Sequence, residues 1–80
     1  MNSFISIVIP FYSNFVWLSE AVDSVLCQTY KNYEIIIVND GCPESDTYFL
    51  NKYGNNIIYH RQLNSGPAKA RNAGIEIANG

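Results

Sequence analysis

Eighty residues that are 48% hydrophobic and 15% charged describe a folded chain of one small domain at most, and exclude a disordered, collagen-like or membrane-spanning composition. The formal net charge is -2 and the cations Lys31, Lys52, Arg61, Lys69 and Arg71 never form a dense run, so nucleic acid and anionic membranes are not favoured as partners and any phosphate must be held locally. The first ten residues lack a basic n-region and a cleavage site, Ile5 to Ile9 is too short to span a bilayer, and Cys27 and Cys42 are spaced unlike a metal or redox pair, so a cytoplasmic chain with two reduced, structural thiols is expected.

Ile5 to Ile9 is a nearly continuous apolar run ending at Pro10, which reads as a strand buried on both faces. From Phe15 to Gln28 the apolar positions Trp17, Leu18, Ala21, Val22, Val25 and Leu26 make one broad helical stripe, with Ser13 or Asn14 as N-cap. Tyr33 to Val38, rich in β-branched residues, predicts a central parallel strand that stops at the turn-forming Asn39-Asp40-Gly41. A short helix over Asp46 to Tyr53, a third strand over Ile57 to His60, and a third helix opening at Pro67 and ending near Gly80 complete the order β-α-β-α-β-α. Alternation of this kind implies a parallel sheet that binds ligands at the carboxyl ends of its strands, so the loops 10–14, 39–45 and 61–67 carry the interest.

Asp40 follows an apolar strand, where a carboxylate in a cleft can accept from ring or sugar donors. The plainer alternative is a turn aspartate that caps the next backbone N–H. Gly66-Pro67, ahead of a helix bearing Lys69 and Arg71, offers exposed N–H groups and cations to a diphosphate, or simply a capped surface helix. Neither a Walker loop nor a Gly-x-Gly-x-x-Gly run is present. His60 has no spaced nucleophile and reads as structural, and Glu44 and Asp46 read as acids at a helix start. The aromatics are mostly core candidates, although Phe11 and Tyr12 could line a base pocket.

Four phrases occur in order: Ser6 to Tyr12 (SIVIPFY), Ser24 to Tyr30 (SVLCQTY), Tyr33 to Gly41 (YEIIIVNDG) and Asn64 to Gly74 (NSGPAKARNAG). Together they resemble family 2 glycosyltransferases of the GT-A fold over almost the whole chain. The resemblance implies an α/β fold, the N-terminal β-α-β-α-β-α portion of a three-layer, Rossmann-like parallel sheet, with residues 1–80 as the nucleotide-sugar-binding part of a longer domain. It implies that Pro10, Phe11, Tyr12 and Asp40 surround the nucleobase, and that Gly66, Pro67 and Arg71 lie near the nucleotide, with Asn72 organising that corner. A carboxylate can accept from the ring N3–H of uracil or thymine, whereas cytosine offers only an acceptor there, so UDP or TDP sugars are favoured over CDP sugars; guanine also carries ring N–H donors and stays open.

Two positions depart from the family pattern: Asn39 stands where a first aspartate is common and Cys42 where serine is common. The resemblance further implies a divalent cation, Mg²⁺ or Mn²⁺, whose ligands lie beyond residue 80 together with the catalytic base, so no catalytic or metal residue is assigned within the chain. The implied reaction is an inverting transfer from the nucleotide sugar to a glycan, lipid-linked or other hydroxyl acceptor, at the cytoplasmic face of a membrane or free of it. The competing readings are a non-catalytic α/β binding or signalling module, disfavoured because Pro10-Phe11-Tyr12 holds the place of an acidic cluster, and a degenerate transferase that binds without turnover.

Overall fold

The computed structural model describes residues 4–79, so the glycine expected to close the last helix, Gly80, lies outside the described residues. Six elements follow in chain order: β1 (Ile5–Phe11), α1 (Phe15–Leu26), β2 (Tyr33–Asp40), α2 (Thr47–Tyr53), β3 (Ile58–Gln62) and α3 (Pro67–Ile77). The strands form one parallel sheet in the order β1-β2-β3, with Ile7 opposite Ile35 and Val38 opposite His60. This is the expected α/β architecture with β2 at its centre.

The side chains of β2 alternate between two covered faces, which explains its uninterrupted apolar run. Ile35 and Ile37 enter a core with Leu18 and Val22 of α1, Phe49 and Tyr53 of α2, Phe11 of β1 and Cys42 of the loop after β2. Ile36 and Val38 meet Ala70 of α3 on the other face, with Val8, Ala73 and Ile77 packed around them. Burying each such isoleucine contributes about 1.5–3 kcal/mol, and the alternation makes three layers. Gly74 is what lets α3 lie close: a Cβ there would collide with the Val8 side chain and come within 3.3 Å of Val38 Cγ2.

Strand ends differ from expectation in a consistent way. β1 runs on through Pro10 to Phe11 and, among the described residues, pairs with β2 alone; it is half-buried along most of its length instead of covered on both faces. β2 continues through Asn39 and Asp40, because β3 extends to Gln62 and supplies parallel partners, Arg61 and Gln62, that override the turn preference of those residues. Asn14 is the N-cap of α1, at φ 75, and its Oδ1 accepts from Trp17 N at 3.1 Å. Leu18 and Val22 are the buried part of the α1 stripe, while Trp17 is 51% exposed.

Candidate functional site

The loops after β1, β2 and β3 converge on a cleft of ≈ 300 Å³ at the carboxyl end of the sheet, lined by Pro10, Phe11, Tyr12, Asp40, Asn64, Gly66, Pro67 and Ala70. Six of the seven residues singled out from the sequence are brought together there. The seventh, Arg71, is exposed on α3 and is not part of the lining. Phe11 and Tyr12 divide their labour: Phe11 is buried, its ring centroid 4.7 Å from that of Phe15 and tilted against it, a core role, whereas Tyr12 is 50% exposed and lines the cleft. His60 lies on β3 outside the lining, and both cysteines are free, Cys27 exposed and Cys42 buried.

Asp40 is only 5% exposed and is held by three donors distant in sequence. Its Oδ1 accepts from Gln62 Nε2 at 3.0 Å and from Ser65 N at 2.8 Å, and its Oδ2 accepts from Gly66 N at 3.0 Å. The Gln62 hydrogen bond first, then the Ser65 amide, hold its carboxyl below the usual aspartate range against the opposing effect of burial. The local turn belongs to its neighbour: Asn39 Oδ1 accepts from Cys42 N at 2.8 Å, and Asp40 makes no bond to the next backbone N–H. Gly41 completes the corner at φ 79, where a Cβ would sit 2.8 Å from Asn64 N, so only glycine lets the two loops touch.

These contacts change the meaning of the α3 N-terminus. The Ser65 and Gly66 amides that could have met a diphosphate are spent on Asp40, Pro67 has no N–H, and the carboxylate already faces the positive end of the helix. Two of the donors ahead of α3 are thus taken by the protein itself.

Asp46 also departs from expectation. It occupies the N-cap position of α2 but makes no capping bond; instead its Oδ2 accepts from the Tyr59 hydroxyl at 3.0 Å and pairs with Arg61 Nη1 at 3.4 Å. A phenol and a guanidinium outcompete a backbone amide as partners for a carboxylate. Arg61 Nη2 also donates to the Cys42 carbonyl at 2.9 Å, and Asn39 Nδ2 donates to Tyr59 at 2.7 Å, so the 41–46 loop is pinned to β3 on both sides. An amide at position 39 fits this chain of bonds because it donates to the phenol and accepts from Cys42 at once. Sequence reasoning missed Gln62, and the signal that could have found it is the register, which sets Asp40 directly opposite Gln62.

Among the described residues no three His, Cys, Asp or Glu side chains stand together so as to hold a metal ion. No described helix is long and apolar enough to cross a membrane.

A parallel sheet whose carboxyl-end loops enclose a cleft defines an α/β ligand-binding sheet of the Rossmann-like class. The family model described as Glycosyl transferase family 2 matches residues 6–80, and the chain belongs to that family. It is 44% identical over 78 residues to an uncharacterized glycosyltransferase of Rickettsia felis, covering 95% of this chain and 13% of that protein. It is 36% identical to the Minor teichoic acid biosynthesis protein GgaB of Bacillus subtilis, covering 94% of this chain and 9% of that one, and 36% identical to glycosyltransferase GlyG of Streptococcus pneumoniae, covering 100% and 28%. In fold it matches the crystal structure of S. aureus TarS 1-349 with a TM-score of 0.85 at 24% identity, over 98% of this chain and 25% of that chain, which agrees with the expected GT-A sheet. The chain thus spans between about a tenth and a quarter of these proteins.

Proposed function

We propose that these residues form the nucleotide-binding N-terminal portion of a glycosyltransferase that draws a sugar from a uridine-type nucleotide diphosphate and passes it, with inversion, to a hydroxyl of a glycan or lipid-linked acceptor. The observation that carries the reading is the near-buried Asp40 carboxylate in a cleft lined by Pro10, Tyr12, Gly66 and Pro67. Three fixed donors keep that carboxylate ionised and oriented, and a remaining lone pair can accept the N3–H of uracil. In this reading Tyr12 flanks the ring, and Arg71, exposed on α3 outside the cleft lining and in no ion pair among the described residues, is the cation assigned to the diphosphate. Residues outside this stretch carry the acceptor site, the general base and any cation. Two unpaired cysteines support a cytoplasmic setting.

Calorimetric titration of UDP into the chain and into Asp40→Asn tests the reading. Asparagine loses the charge-assisted acceptor and turns an NH₂ toward one of the donors, so UDP affinity should fall roughly 10- to 150-fold. Equal affinity in the two proteins refutes the assignment of Asp40 to the base. The chain by itself should transfer no sugar from a UDP-sugar, measured as UDP release above a buffer control.

A further inference from the structure

An ionised carboxylate only accepts, and its two oxygens offer about four lone-pair positions. Among the described residues three are filled in Asp40: both on Oδ1, by Gln62 Nε2 and Ser65 N, and one on Oδ2, by Gly66 N. The donors also divide by place. Gly66, the donor to Oδ2, lines the nucleotide cleft, whereas Gln62, a donor to Oδ1, lines a neighbouring groove with Gly41, Arg61 and Leu63 that meets the cleft at Asn64.

We infer that Gln62 is a specificity-determining positioning residue of the nucleotide site: by filling Oδ1 beside the Ser65 amide, it leaves Asp40 one acceptor position, on Oδ2, for a base that presents a single ring N–H. The inference rests on the proposed nucleotide reading and sharpens it from ring N–H donors in general to uracil or thymine against guanine. Guanine presents N1–H and the 2-amino group side by side and needs both carboxylate oxygens at once. With Oδ1 saturated, its second donor is buried without a partner, which costs about tenfold in affinity or more. Gln62 acts through Asp40 and does not touch the base.

Three diphosphates titrated into the wild-type chain isolate the arithmetic from pocket size. UDP and IDP present one ring N–H each, and GDP is IDP with the extra 2-amino donor. UDP should bind tightest, and GDP should bind no better than IDP. In Gln62→Met, of similar length and without a donor, the carboxylate is freed to turn: the GDP-to-IDP ratio should shift several-fold toward GDP while UDP weakens. The pH below which UDP binding is lost should also rise, because the donor that most lowers the Asp40 carboxyl is gone. A chain that merely lost structure at Gln62→Met would weaken all three ligands alike and leave the ratio in place. GDP binding about tenfold tighter than IDP in the wild-type chain overturns the inference without any variant, as does an unmoved ratio in a folded Gln62→Met. Failure of the wild-type chain to bind UDP at all refutes the nucleotide reading instead, so the two failures are distinguishable.

Discussion

The two ends of β2 carry the same device for different ends. At its carboxyl end Asp40 accepts from the Ser65 and Gly66 amides just ahead of α3. At its amino end Glu34 accepts from Asn79 N at 2.7 Å, just past the end of α3, and from the Ser6 hydroxyl of β1. One strand therefore grips one helix at both termini, with the sheet-facing Ala70 and Gly74 between. The grips differ in setting. Asp40 is 5% exposed and lines a cleft wall, whereas Glu34 lies outside that lining at the foot of the sheet. Of the two settings only the carboxyl end of β2 is enclosed by loops, the place where parallel sheets gather their ligand sites.

The largest effect is expected between the grips. Gly74→Val would drive a side chain into Val8 and Val38, neither of which can turn aside easily because both are β-branched. Overpacking of this kind costs about 1–3 kcal/mol, more than the few tenths by which valine exceeds glycine in helix propensity. A urea melt should show the loss, and α3 should loosen at both termini, so UDP affinity falls with stability. An unchanged midpoint would mean that α3 does not lie on the sheet as described.

Next comes Asp40→Asn, where the structure alters what the sequence suggests. A turn aspartate would tolerate the isosteric amide, but this carboxylate receives three donors, and an asparagine oxygen can serve only some of them. The melting temperature without ligand should therefore drop by several degrees in addition to the loss of UDP affinity. A drop in stability with UDP affinity intact would leave Asp40 as an organiser of the 64–66 loop alone.

What could be read from the sequence and what could not separate along the same physical line. Local signals held: the continuous apolar run of β2, the Asn14 cap, Pro67 at the start of α3, and the loops that meet at the cleft all declare themselves through neighbouring residues. The pairings that decide the site were invisible. Gln62 and Asp40 are 22 residues apart, Asn79 and Glu34 are 45 apart, and Tyr59 meets Asp46 across 13, and side-chain pairs at such separations leave no periodic trace. The strand ends were misjudged for the same reason: Asn39-Asp40 looks like a turn until β3 is known to run to Gln62 and hold both residues in the ladder.

The smallest effect separates the two acids most sharply. In Glu34→Gln the side-chain oxygen can still accept one of the donors at the foot of β2, so only part of the grip is lost and the melting temperature at neutral pH should fall by a few degrees at most. UDP affinity should not change, because nothing at Glu34 reaches the cleft. The pH dependence carries the proof. The Ser6 hydroxyl first, then the Asn79 amide, hold the Glu34 carboxyl below the ordinary glutamate value of 4.5. A carboxyl whose folded value is depressed binds its proton more readily in the unfolded chain, so its stabilisation is complete above the ordinary value and disappears as the pH falls through the depressed one. The wild-type and Glu34→Gln melts should therefore differ at neutral pH and converge progressively on acidification below 4.5, as the pH falls through the depressed value. The wild-type chain should still retain the separate acid sensitivity of Asp40, whose carboxyl is depressed from 3.8 by Gln62 and the Ser65 amide. A gap between the two melts that stays constant from neutral to acid pH would show that the glutamate holds α3 by shape and hydrogen bonding without its charge, and the likeness between the two ends of β2 would then be one of geometry alone.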